Sequence, residues 1–497
     1  MPSMTTLLPQ TAGARPAPPP AALLILALLL LAAAFVLAWM RFQPNPPLAD
    51  DRHYVAMAWN LAEHGVPSLA PPQDAAPAPT MFREPGYPLL LAGLMRLAPA
   101  TLAAARCDAV AAEAATPSAA CLAALRLGHG LNVALILVAA ACAALAVWRL
   151  CGAAPAALLA LALIAFNPKI MDYADFMISE SLALALAAAA ALLLLPAAGA
   201  GRAAWAAALA AGLACGALAA TKQAFLPLLL PAAIGVALAH AWHRGPVPRP
   251  AARRYAAGAL RGVLLAAGWA AIVGPWLFWN LASFGSPLPS DRAREGEVLA
   301  YRVELLEMNP AEYGMAWLWW TSNFGDNWAR DGFPEADWRR FQDHRADGFT
   351  PASHDRWVAD VAARQASGLT PSEAYDAVTR DYQSRLLAAW PRHLMISLPV
   401  LNRGLWVDSL ALLTVPCLLV VLALAWRWGV GRFYLFALPG LTGLAVHTGL
   451  TNNIPRWNLP LAPVLVVATA LAAWRLGGWL QRRWQRRRTA PPEGAAA

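Results

Sequence analysis

The 497-residue chain is predicted to be an all-α integral membrane protein. Hydrophobic residues make up 59% of it and charged ones only 13%, with a positive mean hydropathy. The apolar residues also gather into long runs separated by short polar ones, and arginines cluster beside every second connection. A water-soluble core is excluded by this balance.

A hydrocarbon core of about 30 Å requires about 20 apolar helical residues. Residues 1–20 are rich in Pro and Ala, with only Arg15 charged, and are expected to be a disordered tail. The apolar run that follows is long for a signal peptide and is read as a retained first span. About ten spans are expected: 21–40, 122–149, 153–168, 177–196, 203–220, 224–241, 262–280, 405–426, 433–449 and 457–478. If the first runs outward, alternation puts Arg149, Arg202, Arg427, Arg432 and the 242–261 loop with Arg244, Arg249, Arg253, Arg254 and Arg261 inside. The basic cytoplasmic tail, 479–497, joins them, and every strong basic cluster obeys the positive-inside rule.

The chain therefore divides into an N-terminal transmembrane module (21–280), an extracytoplasmic insertion (281–404) and C-terminal transmembrane helices (405–478). The first outward loop, 41–121, belongs to the N-terminal module. Within it Gly86 to Ala98 is apolar but short, which predicts an interfacial helix rather than a span. In the insertion, Pro371-Ser372-Glu373 opens a stretch with Ala374, Ala377, Val378, Tyr382 and Leu386 at helical spacing, so the insertion is expected to be small and mostly helical. Its tryptophans, Trp317 to Trp320 among them, suit headgroup anchoring or sugar stacking. The resulting localisation is a bacterial inner membrane, with the chemistry facing the periplasm.

Several function classes lose support. The net charge of +9 sits in topological clusters, so a nucleic-acid partner is not invoked. The six cysteines form no CxxC pair, and His64, His129, His344 and His447 show no ligand spacing. Cys107 and Cys121 share the first outward loop, where an oxidising compartment permits a disulfide. No internal repeat or matched pair of broken helices marks a transporter.

The candidate site begins with Asp50-Asp51-Arg52-His53-Tyr54. Tyr54, Ala58, Leu61 and Ala62 share one helical face and Gly65 offers a stop, so the acids stand at a helix N-terminus. A helix cap needs one Asp, and two adjacent carboxylates repel, which favours a site over a cap. Next comes Arg83-Glu84-Pro85-Gly86-Tyr87-Pro88, an ion-pairing dipeptide before prolines that fix a rigid turn. Lys222, in Thr221-Lys222-Gln223, lies at the outer end between two spans, as a snorkelling lysine or as a ligand for a lipid phosphate. Arg456, in Ile454-Pro455-Arg456, is a second outward cation. Glu180 is read as a helix-start carboxylate favoured by the dipole, and Asp172 and Asp175 as solvated loop residues.

These residues, in this order, resemble the GT-C superfamily of membrane glycosyltransferases, especially the branch of the lipid A aminoarabinose transferase and the protein O-mannosyltransferases. The likeness rests on Asp50, Asp51 and Tyr54, on Glu84-Pro85-x-Tyr87, on Thr221-Lys222, on Gly274-Pro275-Trp276 and on Ile454-Pro455-Arg456. It implies transfer of a sugar from a polyprenyl-phosphate carrier to a lipid, glycan or protein acceptor. By that resemblance Asp50 is the general base, and Asp51 and Glu84 are catalytic neighbours that orient base or acceptor, with a divalent metal left open as cofactor. Tyr54, Arg83, Tyr87, Lys222 and Arg456 are the implied substrate-binding residues. The chain departs from the aminoarabinose branch in its insertion and in Asp51, where that branch carries a glutamate, so the acceptor stays open. A transporter or flippase of lipid-linked saccharides is the alternative, and a non-catalytic scaffold for an envelope polymerase a third reading.

Overall fold

The computed structural model describes residues 19–42, 49–71, 74–98, 119–242, 250–290, 292–321 and 324–489. Among these are twenty α-helices and no strand. The first, α1 (Ala21–Arg41), is followed by α2 (Ala49–Glu63) and α3 (Gly86–Leu97). Then come α4 (Ala119–Cys151), α5 (Ala154–Ala165), α6 (Pro168–Met171), α7 (Glu180–Ala197), α8 (Arg202–Thr221), α9 (Leu229–Trp242) and α10 (Ala251–Phe284). The insertion holds α11 (Arg292–Leu305), α12 (Pro310–Trp319), α13 (Gly325–Gly332), α14 (Glu335–Trp338), α15 (Phe349–Ala366) and α16 (Pro371–Ala388). Helices α17 (Trp390–Leu405), α18 (Ala411–Leu424), α19 (Phe433–Leu450) and α20 (Ala462–Thr489) complete the chain. Short 3₁₀ turns at Gln223–Leu228 and Pro455–Leu461 lead directly into α9 and α20, and one at Asp172–Asp175 continues α6.

By length and composition, 8 helices among the described residues can cross a membrane: α1, α4, α7, α8, α9 with its 3₁₀ start, α10, α19, and α20 with its own. The protein is thus an all-α, multi-pass membrane protein. Two expected spans differ in form. Residues 153–168 do not make one straight crossing, because α5 and the Pro168–Asp175 segment meet at 52°. Pro168 cannot continue the preceding helix, and the Asn167 side chain accepts the Ile170 N–H at 3.3 Å to start a new one. Residues 405–426 are likewise interrupted: Asp408 accepts the Leu410 N–H at 2.7 Å and the Thr414 hydroxyl at 3.1 Å, and α18 is only 14 residues long.

Alanine and glycine on facing spans allow the close approach that holds helices together where no water drives them. A methyl group on Gly212 of α8 would sit 2.0 Å from the Leu265 carbonyl oxygen of α10. One apolar core joins α1, α4, α5, α7, α19 and α20, and a second joins α7 to α10. Leucines such as Leu28, Leu230, Leu412 and Leu419 face outward, as lipid contact requires. At the basic end, Arg149 donates to the Leu192 carbonyl at 3.5 Å and Arg261 to the Gly199 carbonyl at 2.6 Å. Arg475 reaches the Trp428 carbonyl at that same end.

The insertion has its own cores, one around Leu305, Trp320 and Phe349 and one around Ala300, Val378 and Tyr382. The amphipathic helix expected after Pro371 is α16, with Ala374, Val378, Tyr382 and Leu386 buried and a capping box between Thr370 and Glu373. The tryptophans of this stretch differ in burial, and Trp317 is exposed. Trp320 is buried, and Trp319 stacks on Trp338 with ring centroids 5.9 Å apart, because the short helices bury their aromatic faces on one another.

The buried Glu304 carboxylate meets Arg340 at 2.5 Å and Arg356 at 2.7 Å, and Arg340 also reaches Glu312 at 3.1 Å. Removing one partner of a buried pair leaves the others uncompensated. Glu304→Gln is expected to cost about 3 kcal/mol, the low end for such changes because both arginines reach solvent. Thermal unfolding of the full chain in detergent reads this as a lowered midpoint. The Cys107–Cys121 pairing and the N-terminal tail to residue 18 lie outside the described residues.

Candidate functional site

Helix α2 begins at Ala49 because the Asp50 and Asp51 carboxylates favour the positive end of a helix, and it stops before Gly65, whose φ of 71° lies in the left-handed region. Helix α3 starts on the Glu84-Pro85-Gly86 turn. The turn presses on the end of α8: a Cβ on Gly86 would lie 2.5 Å from the Thr221 hydroxyl and 2.9 Å from the Ala220 carbonyl oxygen. Two tyrosines fasten the pair to the spans. The Tyr54 hydroxyl donates to Ser179 Oγ at 3.1 Å, and Tyr87 donates to Asn132 Oδ1 of α4 at 3.0 Å. Asn132 in turn donates to the Phe176 carbonyl at 2.8 Å. The two rings meet edge to face at 5.6 Å.

Against this frame stands a row of alternating charges. Arg83 pairs with Asp50 Oδ1, and Arg456 Nη2 with Asp50 Oδ2. Arg456 Nε lies 3.8 Å from Glu180 Oε1, which accepts from Lys222 Nζ at 3.1 Å. Glu84 joins from the side: it accepts the Gln223 N–H at 3.3 Å and faces Arg294 Nη1 at 3.6 Å, while Arg294 also donates to the Phe82 carbonyl at 2.8 Å. Exposure falls from the Asp50–Arg456 pair toward Lys222 and Glu180, and Arg83 on the other side of Asp50 is 12% exposed. Asp50 and Arg456 side chains are 26% and 29% exposed, Lys222 and Glu180 11% and 5%. A solute therefore reaches the Asp50–Arg456 pair first.

Burial pushes the Asp50 carboxyl up, but the Arg83 and Arg456 guanidiniums outweigh it and hold the group below its usual range. For Glu84 burial is again outweighed, here by Arg294, by backbone N–H groups and by Arg83. Burial and Arg83 push His53 down, so its neutral ring accepts from Arg83 Nη2 through Nδ1 at 3.1 Å. Burial also raises the Tyr54 and Tyr87 hydroxyls, which stay protonated donors.

The two carboxyls sit below ordinary values of 3.8 and 4.5, so their stabilisation is complete above those values and is lost as the pH falls through the lowered ones. Thermal unfolding midpoints are expected to hold down to about pH 4.5 and drop below it, with a smaller drop in Glu84→Gln. Gly86→Ala is expected to lower stability by about 1–3 kcal/mol, since the methyl group would meet both the Thr221 hydroxyl, itself bonded to the Ala217 carbonyl, and the Ala220 backbone. The same midpoint measurement checks it.

The structure brings Asp50, Arg83, Glu84, Lys222 and Arg456 together at one end of the bundle. Asp50 and Lys222 are linked through Arg456, which pairs with Asp50, and Glu180, which pairs with both Arg456 and Lys222. Asp51 is buried one residue further along α2. Tyr54 and Tyr87, expected to bind substrate, are buried behind the row with their hydroxyls on protein partners. Glu180, read as a helix-start residue, belongs to the row. Arg294 was missed, because nothing in the Arg-Ala-Arg-Glu sequence sets it apart from a solvated helix. Asp175 is not a solvated loop residue: it pairs with His129 at 2.8 Å. These two residues, with Asp172, Arg41, Leu37, Met40 and Phe42, line a cavity of about 850 Å³ between α1, α4 and α6.

Among the described residues no three His, Cys, Asp or Glu side chains are grouped to hold a metal ion. The acids of the row are matched to guanidinium and ammonium groups instead, so the donor set does not fit a divalent ion.

Fold and site together define a multi-pass helical membrane protein with a buried ionic row where its spans end. No family model matches the chain, and no curated protein does. Among solved structures it is similar to the oligosaccharyltransferase AglB of Archaeoglobus fulgidus in complex with an inhibitory peptide and a dolichol-phosphate, with a TM-score of 0.45 and 15% identity. That match covers 94% of this chain and 52% of the other, so the chain spans about half of AglB. It is also similar to ArnT of Cupriavidus metallidurans bound to undecaprenyl phosphate, with a TM-score of 0.37, 12% identity, and coverage of 96% of this chain and 82% of that one. At these scores and identities the likeness assigns neither family nor activity to this chain.

Proposed function

We propose that the chain is a membrane glycosyltransferase that moves a sugar from a polyprenyl-phosphate carrier to an acceptor hydroxyl, with Asp50 as general base. The observation that carries this reading is the row itself. A carboxylate in the more exposed part of a line of cations, placed where apolar spans finish, combines a proton acceptor with phosphate ligands at the level of lipid headgroups. A separate cavity, lined by apolar residues with Arg41, Asp172 and Asp175 and by no residue of the row, suits an amphiphile.

In this reaction an Asp50 oxygen takes the proton of the acceptor hydroxyl as that oxygen attacks the anomeric carbon. The bond from that carbon to the phosphate oxygen breaks on the opposite face, its electron pair leaving with the phosphate. The products are an inverted glycoside, polyprenyl phosphate and a protonated Asp50. One base suffices, unlike the two carboxylates of retaining glycosidases. Arg456 and Lys222, with Arg83, hold the departing phosphate as its charge grows, and only interactions that strengthen in the transition state raise turnover. Glu84 keeps the Lys222 step in place through the Gln223 N–H, and Asp51 supports the start of α2. By the positive-inside rule this end of the bundle faces the periplasm of a bacterial inner membrane.

The test is mass spectrometry of envelope glycolipids and glycoproteins from cells with and without the chain, paired with transfer assays on purified protein in proteoliposomes. A sugar missing from an envelope acceptor, and made again by purified protein, supports the proposal. Movement of lipid-linked sugar across the bilayer without any transfer returns the transporter reading.

A further inference from the structure

The row has a property that concerns how its base becomes available. Both oxygens of Asp50 are engaged by arginines, Oδ1 by Arg83 and Oδ2 by Arg456. Arg456 is divided between Asp50 and Glu180, and Glu180 is divided between Arg456 and Lys222. A phosphate that comes to Arg456 and Lys222 thus meets cations already holding carboxylates. It binds by exchange.

Resting on the glycosyl-transfer reading above, we infer that a lipid-linked phosphate competes with Asp50 for Arg456, so that donor binding itself frees the base. The donor then acts twice: it supplies the sugar and removes the cation that restrains Asp50. An acceptor hydroxyl arriving before the donor finds Asp50 clamped and a weak proton acceptor. This ordering keeps water from being activated without a sugar to attack.

Geometry makes the exchange local. Arg456 Nη2 faces Asp50 while its Nε faces Glu180, so the guanidinium lies between the two acids and a small rotation moves it from one anion to another. Arg83 stays with Asp50, because it is also held against the Tyr54 ring at 5.4 Å and the Phe82 ring at 5.1 Å and bonded to His53. The groups that face Asp50 are His53 of its own helix, Arg83 of the α3 turn, Arg294 of α11, which interacts with it electrostatically, and Arg456. Of the cations, Arg456 alone is shared with Glu180. Its withdrawal lifts one of the two main influences that keep the Asp50 carboxyl low and moves the group toward the range in which a base works.

The experiment is equilibrium binding of undecaprenyl phosphate to the full chain in nanodiscs, with undecaprenol and inorganic phosphate as separate probes. Asp50→Asn is close in shape and removes the competing charge. It is expected to bind undecaprenyl phosphate about tenfold more tightly than wild type, one ion-pair competitor fewer. Inorganic phosphate is expected to show the same change of sign at weaker affinity, and undecaprenol none. Calorimetry near pH 5 in two buffers of different ionisation enthalpy gives a second readout, in which wild type takes up more protons on binding than Asp50→Asn does. If Asp50→Asn binds undecaprenyl phosphate no more tightly, or the two proteins take up protons equally, the exchange is overturned while the phosphate site stands. If wild type does not distinguish undecaprenyl phosphate from undecaprenol, the glycosyl-transfer reading itself falls.

Discussion

Asp50→Asn is expected to lower sugar transfer by about 10²–10⁴, the usual contribution of a positioned general base. The amide keeps the shape of the carboxylate and still accepts a hydrogen bond from Arg83, but it takes no proton from the acceptor. Tyr54 on Ser179 and Tyr87 on Asn132 hold α2 and α3 without help from Asp50, so the protein stays folded. The loss of one charge between two arginines is expected to cost no more than about 1–3 kcal/mol. Single-turnover transfer with a preloaded polyprenyl-phosphate sugar, beside a thermal melt of the same sample, reads both numbers. A variant that melts like wild type yet transfers at the wild-type rate removes Asp50 from the mechanism.

Arg456→Gln is expected to reduce kcat by about 10²–10³, comparable to losing one preorganised donor at a developing negative charge. Lys222 remains but stays with Glu180, deeper in the row. Arg456→Lys is expected to recover little of the loss, because a compact ammonium cannot face two carboxylates with separate nitrogens as the guanidinium does. Turnover at saturating donor separates this effect from weaker binding. A variant in which only KM rises, with kcat unchanged, gives Arg456 a ground-state role alone.

Much of this molecule could be read along the chain. The all-α membrane fold follows from the apolar runs, since a bilayer demands about 20 such residues per crossing wherever they occur. Of the ten expected spans, eight appear as long apolar helices. The two exceptions break at local features, Asn167-Pro168 and Asp408, that periodicity alone does not weigh. At the site, Asp50, Glu84, Lys222 and Arg456 stood out because a charge beside an apolar run is costly unless it has a partner.

Which partner each charge takes was another matter. Arg456 is 406 positions from Asp50, and Lys222 is 42 from Glu180. Glu180 opens α7 as expected, but nothing local marked it as a partner of Lys222, and Arg294 is one arginine among several in a polar insertion. Hydropathy and cap signals are properties of neighbours in sequence, and so composition settled the membrane class, the helices and a short list of charged candidates. Pairing is a property of helix ends brought together by packing. Only the folded bundle, with α3 seated on α8 through Gly86 and α11 laid over the Glu84 turn, put four cations and their acids into one row and showed the base held between two arginines.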